Sequence, residues 1–516
     1  MRQTFDDLWI IDLEGDNLGA RKTENVFSIQ TPVAIAIGVR YDQPQPDKPA
    51  TVRYTRIKGS QEEKLATLEA VNAFHDLEWR ECLNGWQDVF LPGGEGEYWD
   101  WPLVTDLFPW QENGAQFKRT WPIGESREVL ENRWKKLLSL PLAERGKAMR
   151  ETGARKINKS VPALDGSNKN LPAISKLAPD APPFQLTRYG YRSFDRHWVL
   201  RDNRLCDRPR PTLQGAHGDH QIYITSLLTD VLGKGPVATA TYLIPDLHHF
   251  CNRGAKDVIP LWRDVDATDA NITAGVLDIL GRGLGQAVTP KDFFAYCYAL
   301  LASPQYVDEF WDELTIPGPR LPITKDPALF KKAVSLGQKL LWLHTYGERY
   351  IPPGQNLGKL PPGQARCKVG TPSTQVDYPE KFSYSYADQE LRVGKGVFEN
   401  VRPQVWEFSV SGFEVVQSWL GYRMRNRSGR SSSPLDDIRP EVWEFDEELL
   451  DLLWVLDHTI DLLPEFAETL EAILAGDLFQ ESDFPQPTEA ERKGPKGVGE
   501  MPLFDFAGLD VEDDDE

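Results

Sequence analysis

Cysteine is scarce in this 516-residue chain: Cys82, Cys206, Cys251, Cys297 and Cys367 are odd in number, scattered, and never spaced as Cys-x-x-Cys. That argues against a disulfide framework and a zinc site, and it fits a reducing cytoplasm. The opening MRQTFDDLWIIDLEGD lacks the basic start, apolar stretch and small-residue cleavage site of a secretory leader, and no apolar run approaches a membrane span. The expected location is cytoplasmic, with no membrane partner. No Gly-x-Ser-x-Gly elbow occurs, and GKGP and GKGV lack the Ser or Thr and the helix context of a phosphate loop. His217 and His220, and the adjacent pair His248 and His249, have no third ligand placed by spacing, so helix caps and core hydrogen bonds explain them better than a metal. Positive charge is in deficit as well: 58 Lys and Arg stand against 78 Asp and Glu, a formal net charge of -20. Such a balance opposes nucleic-acid binding, in which Lys and Arg contacts to phosphate dominate affinity.

Distribution matters more than the sum. From Lys118 to Arg210 there are 21 Lys and Arg against 10 Asp and Glu, a net +11, while acid concentrates after Asp436 and ends in DVEDDDE. That distribution leaves room for a basic face on an acidic molecule. Aromatics reach 11%, including 16 Trp, enough for a large core and for stacking on bases. Apolar content of 40% and charge of 26% describe a globular chain long enough for two to four domains.

Periodicity predicts three opening strands, LWIIDL, VAIAIGVR and TVRYTRI, with the Pro-rich turn DQPQPDKPA between the last two. Ser60 is placed to cap a helix through QEEKLATLEAVNAF, and a second helix follows in SREVLENRWKKLLSL. Strand patterning returns in FQLTRYGYRSFDRHWVL, QIYITSLL and PVATATYLI. Apolar spacing of three and four then predicts helices in TPKDFFAYCYALLASPQYVDEFWDEL and DPALFKKAVSLGQKLLWLHTYGERY, and an amphipathic one from Phe445 to about Leu474. Residues 352–379 are Pro- and Gly-rich and irregular.

Several separated strings resemble one family: LEGDN followed by GARKTENVFSIQTPVAIAIGVR, then GAQFKRTWPIGESREVLENRW, RYGYRSFDRHWVLRDNRLCDRPRP, TYLIPDLHHF, FFAYCYALLASPQY, LGQKLLWLHTYGE and VSGFEVVQSWLGYR. In number and order they look like the C-terminal half of type ISP restriction-modification methyltransferases, over nearly the whole chain to about residue 475. The resemblance implies a target-recognition half attached to an enzyme that transfers a methyl group from S-adenosylmethionine to adenine. That chemistry needs a Gly-containing cofactor loop and an Asn/Asp-Pro-Pro-Tyr/Phe tetrapeptide. The Pro pairs here stand in DAPPFQ, YIPPGQ and KLPPGQ, none in that pattern. No cofactor is therefore expected in this chain, S-adenosylmethionine being expected only with a completing methyltransferase partner, through an edge left open at LWIIDL.

The implied fold is α/β plus α+β. Closing strands of a Rossmann-like methyltransferase sheet occupy residues 1–60, and a helical connector with a basic loop occupies 61–157. A Pro-rich linker spans 158–185, a mixed α+β target-recognition region with a helical C-terminal part spans 186–475, and an acidic disordered tail spans 476–516. The resemblance places Phe27 where adenine methyltransferases set an aromatic against a flipped-out base; the alternative is a core residue at a strand start. The candidates for duplex DNA contact are Lys118, Arg119, Arg188, Tyr189, Arg192, Arg196, Arg204, Arg208, Arg210, Arg423, Arg425 and Arg427, with Arg430 beside them. Guanidinium forks suit phosphates and guanine edges. The same arginines could instead pair with Asp195, Asp202 and Asp207 in a structural turn. Asp47 with Glu62, Glu63 and Lys64 satisfies a loose nuclease pattern, but a Pro-rich turn and a helix start are the wrong setting. Two further readings stay open: a mis-started one-chain methyltransferase, and a protein-interaction module working through its acidic tail.

Overall fold

The computed structural model describes residues 1–498 except 18–20, 42–46, 83–84, 87–88, 93–95, 168, 252–256, 428 and 430. The fold is mixed α and β, with several small sheets rather than one large one.

The three predicted opening strands form as β1 (Asp7–Asp12), β2 (Ala34–Val39) and β3 (Thr51–Arg56). Their pairing differs from a simple hairpin order. β1 lies between the other two, antiparallel to β2 and parallel to β3, and Arg80–Glu81 closes the far side. The sequence LWIIDL therefore carries no open edge, because both of its sides are paired; among the described residues the outer strands of the sheet are β2 and Arg80–Glu81. Alternation puts Leu8 and Ile10 with Val52, Tyr54 and Cys82 on one face, and Ile11 with Leu13, Val26 and Ile57 on the other. Each is a small cluster. In β2, by contrast, Ala34, Ile35 and Ala36 are exposed.

Helix α1 (Gln61–Ala70) begins at the predicted cap: Ser60 accepts from the Glu63 N–H and the Glu63 carboxylate accepts from the Ser60 N–H, a capping box. Lys64 is buried and donates to the Glu24 carbonyl at 2.7 Å. Of the nuclease-like set, Glu63 and Lys64 are thus spent on holding a helix and a loop. Helix α2 (Arg127–Ser139) is capped by Ser126.

The hairpin β4 (Leu186–Arg192) and β5 (Asp195–Leu200) pairs at its β5 side with Ile123–Gly124. A second sheet joins β6 (Tyr223–Ser226), β7 (Ala238–Thr241), β8 (Asp257–Pro260) and Glu112–Asn113. Helix α3 (Pro290–Leu301) is buried continuously from Phe293 to Leu301 and sits at the centre of the main core. Its neighbour α4 (Pro327–His344) approaches so closely that a Cβ at Gly337 would stand 1.9 Å from the Ala295 carbonyl oxygen, so only glycine fits. A four-stranded antiparallel sheet follows, β9 (Arg366–Val369), β10 (Phe382–Ser385), β11 (Glu390–Val393) and β12 (Gly396–Glu399), in the order β9-β12-β11-β10. Helices α5 (Val415–Arg423) and α6 (Asp446–Leu474) complete the body.

Two segments read from composition as linker and tail pack against this body instead. Within residues 158–185, Val161–Pro162 pairs with Asn170–Leu171, and the Trp134 indole donates to the Ala181 carbonyl. Past residue 476, Leu478–Phe479 pairs with Ile323–Thr324, and residues 484–498 strap across the surface. DVEDDDE lies outside the described residues.

Candidate nucleic-acid interface

The predicted cations divide into two sets by burial, a distinction that spacing alone does not make. The first set forms an internal brace. Arg423 is fully buried, and its Nη2 meets Asp195 Oδ1 at 2.8 Å, while His197 Nδ1 lies 3.0 Å from the same oxygen. Burial alone would raise the Asp195 carboxyl, but the Arg423 charge and His197 outweigh it and hold it well below the usual range. Arg192 pairs with Asp246 at 2.9 Å, and the buried Tyr189 hydroxyl donates to Asp246 at 3.0 Å. Arg119 is buried against Asp207 at 3.0 Å, and Arg204 forks onto Asp202 at 2.6 Å. Arg427 reaches Asp436 at 3.0 Å.

Arg188 and Arg196 are partly exposed but face α6, Arg188 meeting Glu448 at 2.6 Å and Arg196 meeting Asp451 at 3.5 Å over the Tyr346 ring. These links tie the β4–β5 hairpin to the C-terminal helices. Their acids come largely from distant sequence, which is why the local string RYGYRSFDRHWVLRDNRLCDRPR reads as a basic stripe.

The second set lies on a rim. Gln116 and Arg208 exchange backbone hydrogen bonds, each 3.0 Å, which sets Arg208 and Lys118 on neighbouring strands of chain; both side chains are exposed. Arg210 beside them is half-exposed and donates from Nε to the Gly114 carbonyl at 3.1 Å. Lys118, Arg150 and Arg210 all have left-handed backbones, φ +53°, +57° and +55°. The Arg150 carbonyl accepts from the Arg119 guanidinium, which brings Arg150 beside the 118–119 loop, while Arg210 lies nearer Gly114. Strained non-glycine backbone costs about 1–3 kcal/mol per residue and concentrates at functional sites. Arg425 is exposed elsewhere, with Nη2 donating to the Gln375 carbonyl at 2.6 Å. Arg430 lies outside the described residues.

Phe27 is not a core residue at a strand start. It precedes β2 by several residues and is 60% exposed, in a loop where its neighbours Asn25 and Val26 are held. Asn25, which sequence reasoning missed, is buried: its amide donates to the Gly15 and Thr31 carbonyls at 2.8 and 2.7 Å, and its oxygen accepts from the Phe27 N–H at 2.9 Å. Gln61 holds the Val26 carbonyl at 2.8 Å. Gly15, at φ +94°, gives way to Asn25, since a Cβ there would stand 2.5 Å from the amide. Farther back, Arg21 lies 3.7 Å over Trp311 and donates to the Leu232 carbonyl at 2.7 Å, joining the loop to the body. A flat apolar ring is thus presented to solvent on a braced mount. The Asn-x-Phe spacing was the one signal available for Asn25.

Of the four histidines weighed as ligands, His220 is exposed and His217 and His249 are held inside by hydroxyl contacts. His217 contacts the Tyr223 hydroxyl at 3.0 Å and His249 the Thr225 hydroxyl at 2.8 Å, and burial pushes both imidazoles down to about 3. Among the described residues, no three His, Cys, Asp or Glu side chains gather where they could hold a metal ion, and no helix is long and apolar enough to cross a membrane.

The sequence matches the type ISP C-terminal specificity domain over residues 106–453, two thirds of its length. The chain belongs to that family. In fold it is similar to three solved structures. A DrdV–DNA complex determined by cryo-electron microscopy is 18% identical with a TM-score of 0.59, covering 92% of this chain and 48% of the other. A nuclease-deletion mutant of the type ISP restriction-modification enzyme LlaGI with a DNA substrate mimic is 17% identical with a TM-score of 0.58, covering 90% and 37%. The ATP-dependent type ISP enzyme LlaBIII bound to DNA is 15% identical with a TM-score of 0.58, covering 91% and 31%. This specificity chain therefore spans less than half the length of each of these structures. No curated protein matches it at a significant level.

Proposed function

We propose that this chain recognises a short sequence in duplex DNA as the specificity part of a restriction-modification adenine methyltransferase. The family match over residues 106–453 carries the reading, and the exposed cations of the rim give it a physical means. Lys118 and Arg208 supply phosphate contacts, with half-exposed Arg210 beside them and Arg425 as a separate contact. The braced arginines hold the β4–β5 hairpin and α6 in register and do not themselves meet DNA. Purified chain titrated with random duplex across a salt series, with the bound fraction sequenced, tests this. Affinity falling steeply with salt and an enriched asymmetric motif are expected. Absence of binding at low salt overturns the reading.

Catalysis comes from an S-adenosylmethionine-dependent methyltransferase domain seated against the opening sheet, the closing strands of a Rossmann-like sheet shared between the two. Supporting this, β2 is an outer strand with exposed apolar residues, and nine of the sixteen exposed large hydrophobics among the described residues fall within the first 90. Unpaired apolar edges of this kind invite strand addition. Phe27 then stacks on the flipped adenine.

A further inference from the structure

The strap that follows α6 ends on a stretch of opposite charge to the tail that composition suggests. Residues 491–498, ERKGPKGV, hold three Lys and Arg and one acid, and they lie beyond the residues 106–453 matched to the family. No residue from 481 to 498 is buried, so the strap adds little to the core. Polar bonds fix it instead. Arg263 donates to the Glu491 and Lys493 carbonyls at 2.9 and 2.5 Å, Arg492 pairs with Asp106 at 2.6 Å, and the Glu491 carboxylate accepts from the Ala274 N–H at 2.8 Å. With Glu491 and Arg492 so engaged, Lys493 and Lys496 have no acid partner among the described residues; the first is exposed and the second half-exposed.

The residues beneath decide where these two lysines stand. At Gly494 a Cβ would lie 2.9 Å from the Trp110 indole nitrogen and 3.0 Å from the Thr212 methyl carbon, so the strap is tight on the body there. A Cβ at Gly215 would lie 3.1 Å from the Lys496 carbonyl oxygen, and the Val498 N–H donates to the Pro211 carbonyl at 3.0 Å. The strap therefore crosses the short helix Pro211–Gly215, which begins directly after Arg210 and just past Arg208. Ordering a chain segment costs conformational entropy, and here little apolar burial offsets it. What the polar bonds secure is the placement of two free ammonium groups beside the rim.

We propose that Lys493 and Lys496 contact phosphates of the same duplex that meets Lys118 and Arg208, the strap serving as a further arm of the rim. This rests on the reading of that rim as a DNA contact. A lysine ammonium is a compact point charge that suits phosphate, and phosphate contacts position a duplex without reading its sequence. The strap thus adds affinity for any duplex and leaves the choice of site to other residues.

The test compares the full-length chain carrying Lys493→Gln with Lys496→Gln against the unaltered chain and against Lys118→Gln with Arg208→Gln, on random duplex across a salt series. Two lost phosphate contacts predict a slope of log binding constant against log salt shallower by about 2 and affinity about tenfold lower at low salt. The enriched motif and the melting temperature are expected to stay as they are. A second readout follows the lysines directly: acetylation by an N-hydroxysuccinimide ester, read by mass spectrometry, is expected to fall at Lys493 and Lys496 when duplex is bound. An unchanged slope with both lysines still acetylated in the complex overturns the inference, and DNA recognition at the rim stands if Lys118→Gln with Arg208→Gln flattens the slope in the same series. If neither pair of substitutions alters the slope of a chain that binds duplex, both readings fall together.

Discussion

The opening sheet and the specificity body put their apolar and charged residues to opposite uses. In the body, apolar side chains gather into one large core running from Tyr98 to Phe479 and a second around Trp121 and Trp134, and charges are taken inside as matched pairs such as Asp195 with Arg423. In the first 90 residues, two clusters of four and six buried residues flank β1, while Phe27, Ile29 and Ile35 face solvent. One region is complete in itself. The other displays surface of the kind normally covered. The proposed DNA face is read from exposed cations such as Lys118 and Arg208, not from the buried ones, which have acid partners inside the fold.

The sharpest break of this comparison is Asp195→Ala. It leaves Arg423 buried without its carboxylate, and losing one partner of a buried pair costs about 3–5 kcal/mol. A correspondingly lower urea midpoint is expected, read by tryptophan fluorescence. A drop of less than about 1 kcal/mol would mean that the brace is ornamental. Next, Lys118→Glu with Arg208→Glu is expected to weaken duplex binding by at least about a hundredfold at low salt, with the urea midpoint unchanged, since both side chains are exposed.

Acid separates the regions a third way. His217 faces Arg201 and Arg349, His249 faces Arg192 and Asp195, and His344 lies between Tyr298 and Thr459; burial holds all three near 3 against an ordinary 6.5. The unfolded chain therefore binds protons that the folded chain refuses between these values. Stability is full above about 6.5 and is lost as pH falls toward about 3. Asp195 acts in the same direction, its contribution lasting until pH falls through its depressed value. Thermal melts at pH 7, 5.5 and 4.5 are expected to decline in that order, and a flat profile would place these imidazoles near water.

The smallest effect is expected at Phe27→Ala, within about 0.5 kcal/mol of wild-type stability for a ring 60% exposed. Asn25→Ala, which strands three loop groups, is expected to cost about 1–3 kcal/mol. If Phe27→Ala proves the more destabilising in the same melts, the ring belongs to the fold and not to a site.

Much of the local structure was legible. The three opening strands, the Ser60 cap, and helices α3, α4 and α6 follow from alternation, caps and spacing. Strand order was not, because the parallel pairing of β1 with β3 depends on contacts forty residues apart. Nor was the division of the cations: Arg119 and Lys118 are adjacent in sequence, and only the fold puts one against Asp207 and the other in solvent. The strap was missed because Pro, Gly and acid resemble a disordered end, although Arg263 and Asp106 were waiting for it.

The central claim is that rim cations, not braced ones, meet the phosphates. The most direct measurement is the slope of log binding constant against log salt for wild type and for Lys118→Gln with Arg208→Gln. Two lost phosphate contacts predict a slope shallower by about 2, with unaltered stability. An unchanged slope in the folded double variant would contradict the account.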